Sequence, residues 1–308
     1  MSNLSTRSTA GVSRRRFLAA GAGGVLLAGA AGVELVAHGV LPGQHYLDQI
    51  DGACSVAPPP ERYGSVGPTV VGSFFSQARR RQVSFTLAYP PEYGPGSRLP
   101  LVVYLYGNGG SHTSPLGALP LAKALAGHTK TGGIPPMALV VADGGSLYWN
   151  PHPGDDPMRM ITDELVPRLR ARGLGAGARS LGIIGMSMGG YGALLLSEKR
   201  PDLFSAAAAI SPAIWTSYAE ARAANPAAFA SASDFARDDV ITHAGRLAGI
   251  PVRIASGASD PFHPGVLALA PHLPASASLQ IPPGCHNTSF FSEQQLPSLQ
   301  FLGRHLSA

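Results

Sequence analysis

The 308-residue chain has little charge, few aromatic side chains and only two cysteines. Charged residues make up 13% of it and aromatic residues 7%, whereas 45% are hydrophobic. This balance is too apolar for a disordered chain and is sufficient for one large domain with a sizeable core. The two cysteines and ten histidines show no spacing typical of a zinc site, so we expect neither a metal nor another cofactor.

Basic runs are also scarce once the amino terminus is set aside. The whole chain has a net charge of +5, but beyond residue 40 it holds 19 basic and 17 acidic residues. The one basic cluster there is Arg79, Arg80 and Arg81, whose side chains we expect to face solvent at a strand edge. Such a chain lacks the electrostatic footprint of a nucleic-acid-binding protein, so we expect no nucleic-acid partner.

Residues 1–40 have the pattern of a twin-arginine export signal. Residues 13–18 (SRRRFL) precede an Ala/Gly/Leu stretch, and residues 28–30 (AGA) form a candidate cleavage site. The apolar stretch is short and Gly-rich for a bilayer span, but apolar residues continue through Val40, so a retained membrane anchor stays open as the alternative to cleavage. We expect the twin-arginine machinery to export the protein to the extracellular space or the cell envelope.

The two cysteines, Cys54 and Cys285, form an even pair in a chain expected to be exported. In an oxidising compartment such a pair can form a disulfide. Two free thiols, with Cys285 buried beside the site and Cys54 in a tail, are the alternative.

The rest of the chain has the organisation of a single α/β domain. Residues 41–68 are rich in Pro and Gly and predict a linker or a surface wrap. From residue 69 to 308, eight short apolar runs alternate with helical patterns at 116–126, 158–172, 188–199, 265–270 and 293–305. This alternation predicts a mostly parallel sheet covered by helices on both faces. Residues 213–249 interrupt it and predict a helical insertion over the site, or else generic helical filler.

Ser187 lies in the sequence Gly-Met-Ser-Met-Gly at residues 185–189. An apolar run that predicts a strand precedes it, and the start of a predicted helix follows it. A serine on such a tight strand-to-helix turn is a nucleophile elbow, which exposes its Oγ next to a helix N-terminus. We therefore predict that Ser187 is a catalytic nucleophile.

A serine nucleophile needs a base and an acid that orients the base, and both follow Ser187 along the chain. Asp260 and His286 each come directly after a predicted strand, at the sheet edge where functional groups of such folds collect. The less suitable residues precede the serine, lie in the insertion or are too close in sequence to Asp260. These are the acids Asp143, Asp234, Asp238 and Asp239 and the histidines His243, His263 and His272.

An oxyanion formed at this serine needs two N–H donors. One is the backbone of Met188, directly after the nucleophile. The other comes from the Gly-rich loop at residues 104–111, where we assign the backbone of Asn108.

At this point the residues resemble the esterase D-type esterases, which include S-formylglutathione hydrolases and the mycobacterial antigen-85 mycolyltransferases. The resemblance extends from about residue 70 to 302, and the matching stretches are 163–167 (DELVP), 185–194 (GMSMGGYGAL), 200–204 (RPDLF), 210–212 (ISP), and 284–287 (GCHN) with the pair 290–291 (FF). It implies an α/β-hydrolase fold, acyl-ester chemistry without a metal, and a triad of Ser187, Asp260 and His286.

The chain departs from the mycolyltransferases at two places. Tyr106 stands where they carry an Asp used for trehalose, and neither Asn287 nor Thr288 matches the aromatic residue that closely follows their catalytic histidine. The departures argue against mycolate transfer to trehalose. Tyr106 also replaces the His that is common in this loop, although a hole built from backbone amides should tolerate the change.

Together, these features predict an exported serine carboxylesterase that acts on a small-molecule or lipid acyl ester. An acyltransferase with a sugar or lipid acceptor is the alternative, because it differs only in what attacks the acyl-enzyme. A catalytically idle member that binds envelope glycan or a host protein is an alternative of another class.

Overall fold

The computed structural model describes Cys54 and residues 67–114 and 133–307, within one compact unit that spans Cys54–Ala308. The export signal predicted at 1–40, nearly all of the linker predicted at 41–68 and the helix predicted at 116–126 lie outside the described residues. Among the residues described, no helix is long and apolar enough to cross a membrane.

Eight strands form one sheet in the order β1-β2-β4-β3-β5-β6-β7-β8. The first two pairs in this order, β1 with β2 and β2 with β4, are antiparallel. The other five pairs, from β4 with β3 to β7 with β8, are parallel. The prediction of a mostly parallel sheet is thus confirmed. The strands are β1 Thr69–Ser76, β2 Arg81–Ala88, β3 Leu101–Leu105, β4 Ala138–Ala142, β5 Leu181–Met186, β6 Ala206–Ile210, β7 Val252–Ala255 and β8 Ala277–Gln280.

The central strands are continuous apolar runs because both of their faces are covered. Every residue of β3, β4 and β6 is buried, as expected for parallel strands between two helical layers. Strand β6 has the sequence AAAAI, and two helices pack on it, Met188–Lys199 and the last helix, Thr288–His305. Its small side chains let these helices approach the sheet closely.

In the part of the chain that the structure describes, six helical segments are long enough to name, in addition to two short 3-10 turns at Ala244–Leu247 and Ala270–His272. The first, α1, has a π-helical middle, which adjoins Pro167, a residue with no N–H to continue the regular ladder. The last begins earlier than the predicted residue 293, because the side chain of Asn287 caps it by accepting from the backbone N–H of Phe290. The helices are α1 Pro157–Arg159, Met160–Leu165 and Val166–Arg170; α2 Met188–Lys199; α3 Tyr218–Ala224; α4 Ala232–Arg237; α5 His263–Leu269; and α6 Thr288–His305.

The interruption at 213–249 consists of α3, α4 and a 3-10 turn, each of the two helices starting at a serine cap. It is fixed to α2 by three polar contacts, one of which runs from Lys199 Nζ to the backbone carbonyl of Arg237 at 2.8 Å. The hydroxyl of Tyr191 donates to the backbone carbonyl of Asp238 at 2.6 Å, and Lys199 pairs with the buried carboxylate of Asp238 at 2.9 Å. The interruption is therefore attached to the helix that directly follows Ser187.

One expectation about the basic cluster is wrong. Arg79 does not face solvent but is only 3% exposed, and its guanidinium pairs with Asp155 at 2.6 Å and donates to the backbone carbonyl of Asp143. Arg81 pairs with the same carboxylate from a largely exposed position. The buried charge is accepted because a carboxylate and a carbonyl satisfy it.

Candidate active site

Ser187 lies on a strained turn between β5 and α2. Its φ and ψ are 53° and −122°, a conformation that non-glycine residues rarely adopt. A Cβ on Gly185 would lie 2.0 Å from the carbonyl oxygen of Gly189, and a Cβ on Gly189 would lie 1.9 Å from that of Leu105. Both positions must be glycine, because the backbone of another residue passes too close for a Cβ. The turn that they allow projects the serine outward.

Three side chains from three loops meet in one hydrogen-bonded line. Ser187 Oγ lies 2.8 Å from His286 Nε2, and His286 Nδ1 lies 2.9 Å from Asp260 Oδ2. The other oxygen of Asp260 accepts from the backbone N–H of Phe262 at 2.8 Å. The aspartate side chain is fully buried and that of the histidine 19% exposed. The line can therefore carry a proton from the hydroxyl to the imidazole, with the acid shielded from water.

The loops that carry Asp260 and His286 are joined through their backbones. Ala258 N donates to Pro282 O and Ser259 N donates to Gly284 O, each at 2.9 Å. A Cβ on Gly257 would lie 2.2 Å from the carbonyl oxygen of Gly284, so only glycine allows this approach. The acid and the base consequently sit on one double loop.

A disulfide joins this double loop to the segment before the domain. Cys54 and Cys285 are bonded, which is the first of the two alternatives left by the sequence, and Cys285 is fully buried. The side chain of Asn287 also donates to the backbone carbonyl of Cys54 at 3.3 Å. Two contacts to Cys54 therefore flank His286 on either side along the chain.

The two amides assigned to the oxyanion hole lie next to the serine. Met188 is the first residue of α2, and the loop that carries Asn108 packs on Ser187, since a Cβ on Gly107 would lie 3.3 Å from Ser187 Cβ. Within residues 67–114 and 133–307, neither the Met188 nor the Asn108 backbone N–H donates to a protein acceptor. Both amides therefore remain candidates for the oxyanion hole.

The other acids considered from the sequence have different partners. Asp143 accepts from the backbone N–H of His112 at 2.7 Å, and Asp238 pairs with Lys199 and Arg237. The remaining two bond within or beside the insertion, Asp234 to Arg237 and Asp239 to Ile241 and Thr242.

Aromatic rings beside the imidazole were not anticipated from the sequence. Phe262 and Phe291 each lie with ring centroids 5.0 Å from that of His286. Trp215 packs on Phe262 at 5.6 Å and on Tyr148 at 4.6 Å. We call Tyr148, Trp215, Phe262 and Phe291 the aromatic wall. Its members are dispersed along the chain, and the one usable signal was that Phe262 and Phe291 lie close in sequence to Asp260 and His286.

The comparisons with known proteins identify a family and a fold. The family model described as "Putative esterase" matches residues 76–265. A ferulic acid esterase structure superposes with a TM-score of 0.68 at 15% identity, covering 78% of this chain and 99% of that one. An S-formylglutathione hydrolase from Agrobacterium tumefaciens gives 0.63 at 19% identity, covering 80% and 99%. FphF, a fluorophosphonate-binding serine hydrolase of Staphylococcus aureus, gives 0.61 at 14% identity, covering 77% and 99%.

These structures show that the fold is that of the α/β-hydrolases. No curated protein has a sequence that matches this one.

Proposed function

The chain belongs to this esterase family and is a serine ester hydrolase, and from that premise we propose that it is an exported carboxylesterase with Ser187, His286 and Asp260 as its catalytic triad. The observation that carries the proposal is the continuous hydrogen-bonded line from Ser187 Oγ through the imidazole to the buried Asp260 carboxylate. In this arrangement each group has the partner that its role requires.

Acylation begins when Ser187 Oγ attacks the ester carbonyl. His286 Nε2 takes the hydroxyl proton, while Asp260 accepts from Nδ1–H and so stabilises the imidazolium and keeps the ring in the required tautomer. The carbonyl oxygen becomes negative and receives hydrogen bonds from the Met188 and Asn108 amides; loss of one such donor costs about 3–4 kcal/mol in comparable sites. The tetrahedral intermediate collapses, and the alcohol leaves with the proton from His286.

Deacylation repeats these steps with water as the nucleophile. His286 takes a proton from the water, the water oxygen attacks the acyl-enzyme, and collapse releases the acid and returns the proton to Ser187 Oγ. The imidazole edge is 19% exposed, which supports access by water. Transfer to a sugar or lipid acceptor would differ only in replacing this water.

The aromatic wall favours a substrate whose acyl or alcohol group is apolar or flat. Phe262 and Phe291 lie beside the imidazole, Trp215 packs on Phe262, and all three side chains are partly exposed, which supports their contact with a ligand at Ser187. The structural similarity to a ferulic acid esterase is consistent with an aryl group at this position.

The test is hydrolysis of a series of aryl esters from acetyl to long acyl and cinnamoyl groups, with and without a sugar acceptor. Trp215→Ala should raise KM for the bulky acyl groups about tenfold and leave acetyl ester hydrolysis unchanged. Phe235→Ala is the matched control, because that ring packs on Phe229 and Tyr218 instead. If both substitutions had equal effects on all esters, the aromatic wall would not be part of the substrate site. Formation of an acylated sugar would favour acyl transfer over hydrolysis.

Export is supported by the arginine pair in the sequence and by the disulfide, which is consistent with an extracellular protein. The proposed partner is the twin-arginine machinery, which requires the arginine pair itself rather than positive charge. Arg14→Lys combined with Arg15→Lys should therefore leave the protein in the cytoplasm, as measured by fractionation. Unchanged export would point to a general secretory signal or to a retained anchor.

A further inference from the structure

Tyr106 links the oxyanion loop to the loop that follows β4. It comes directly after β3, is 1% exposed, and its hydroxyl accepts from the backbone N–H of Gly144 at 2.7 Å and of Gly145 at 2.8 Å. Burial raises the pKa of Tyr106, so the phenol stays protonated. One buried hydroxyl thus satisfies two amides of a neighbouring loop.

Trp149 makes the reciprocal contact from that loop. Its indole N–H donates at 3.3 Å to the backbone carbonyl of Tyr106, the carbonyl of the peptide that joins Tyr106 to Gly107. The two rings pack edge to face with centroids 5.1 Å apart. Tyr148 and Trp149 both have positive φ, 53° and 59°, a costly backbone for large residues that persists only where the surroundings hold it.

Three glycines make room for this ring pair. A Cβ on Gly110 would lie 2.7 Å from the Tyr106 ring, and a Cβ on Gly144 would lie 2.1 Å from the Trp149 ring. A Cβ on Gly192 of the nucleophile helix would lie 2.7 Å from Trp149 as well. The rings therefore fill the space between the oxyanion loop, the β4 loop and α2.

We propose that Tyr106 and Trp149 are positioning residues, a clamp that holds the Gly107–Asn108 backbone against Ser187 so that the Asn108 N–H points at the developing oxyanion. The role of Asn108 rests on the proposed function. Neither side chain touches the reacting atoms. Both act through the peptide that joins Tyr106 to Gly107. Oxyanion donors are effective only at hydrogen-bonding distance, and a displacement of about 1 Å can cost about a hundredfold in rate.

The test compares Tyr106→Phe with Tyr104→Phe. Tyr104 lies on β3, two residues before Tyr106, and is fully buried, but its hydroxyl has no hydrogen-bond partner among the described residues, so its removal controls for loss of a buried hydroxyl. With kcat expressed per active site titrated with a fluorophosphonate, Tyr106→Phe should lower kcat about 10- to 100-fold and change KM less than threefold. Tyr104→Phe should stay within twofold of the unaltered enzyme.

A second variant addresses the reciprocal bond. Trp149→Phe keeps a ring but removes the N–H donor, and it should also lower kcat per titrated site. Because both substitutions release the same peptide, the double variant should lose less than the product of the two single losses. Full additivity, or an unchanged kcat in Tyr106→Phe, would overturn the clamp.

Hydrogen exchange of the segment 106–112 gives a readout that needs no activity. It should be faster in Tyr106→Phe and in Trp149→Phe than in the unaltered protein, and unchanged in Tyr104→Phe. Unchanged exchange in the first two variants refutes the clamp whether or not the enzyme hydrolyses esters. Faster exchange in an inactive protein would place the failure in the proposed function instead.

Discussion

The two sides of the candidate site are held by different kinds of bond. On the oxyanion side, side chains join the loops after β3 and β4: the buried Tyr106 and Trp149 and the partly buried Asp143 carboxylate. On the proton-transfer side, backbone hydrogen bonds join the loops after β7 and β8, and a disulfide ties the second of these loops to Cys54. A single substitution can therefore loosen the first side, whereas the second should resist side-chain changes and respond to reduction.

The sharpest contrast concerns the proton-transfer groups themselves. His286→Ala should lower kcat by about 10⁵- to 10⁶-fold, as much as loss of the serine, because the triad acts as a unit. Asp260→Asn should cost less, about 10⁴-fold, since it impairs only the orientation and charge of the ring. Steady-state kinetics with an aryl ester measure both. An Asp260→Asn enzyme of full activity beside an inactive Asp238→Asn enzyme would mean that the acid is misassigned.

Loss of the Cys54–Cys285 disulfide, on the proton-transfer side, should have the second-largest effect. The disulfide spans a sequence separation of 231 residues, and the chain-entropy model sets an upper value of about 5 kcal/mol for a loop of that length. Replacing both cysteines by serine should lower the free energy of unfolding by up to about this amount and reduce kcat, because Cys285 adjoins His286.

Denaturant unfolding with and without a reductant measures this loss. Reductant should weaken the unaltered protein and leave the double-serine variant unchanged, which makes that variant the control. Equal stability and equal kcat in the oxidised protein and the variant would show that the backbone bonds alone hold the proton-transfer side.

The smallest expected effect is on the free energy of unfolding and comes from Glu198 on α2, the helix that follows the nucleophile. Glu198 is 2% exposed, and among the described residues neither of its carboxyl oxygens has a hydrogen-bond partner. Burial raises its pKa to about 9, against the opposing attraction of Arg246 and Lys199 and with the repulsion of Asp238 and Asp239. The folded protein thus binds a proton that the unfolded chain releases above about pH 4.5.

Stability should therefore fall as the pH rises from about 4.5 to 9, because unfolding lets Glu198 ionise. Glu198→Gln removes this dependence and should stabilise the protein by about 1–3 kcal/mol at pH 7.5, with no gain at pH 4. Thermal unfolding at the two pH values tests it. A variant that is less stable than the parent at pH 7.5 would mean that Glu198 has a charged partner in solution.

Features with a local cause could be predicted from the sequence. The elbow at Ser187 depends on Gly185 and Gly189, four residues apart, and each strand depends on its own apolar run, so both were predicted at nearly the right residues. The placement of Asp260 and His286 followed from a general rule, since parallel strands bring their carboxyl ends to one sheet edge.

Features that depend on distant partners could not be predicted. Arg79 is buried because the Asp155 carboxylate and the backbone carbonyl of Asp143 accept hydrogen bonds from its guanidinium, whereas the arginine cluster taken by itself predicts solvent exposure. The Tyr106 hydroxyl finds its two donors 38 and 39 residues away, with no signature at either end. The aromatic wall is assembled from four separate segments for the same reason.

The most direct test of the account is covalent labelling of the mature protein with a fluorophosphonate, followed by peptide mapping. The account predicts one adduct per chain, on Ser187, and the loss of both the adduct and ester hydrolysis in Ser187→Ala, because among the described residues no other serine occupies a strand-to-helix elbow beside a histidine. Labelling at the level of the unaltered protein in Ser187→Ala, or an adduct mapped to another residue, would contradict it.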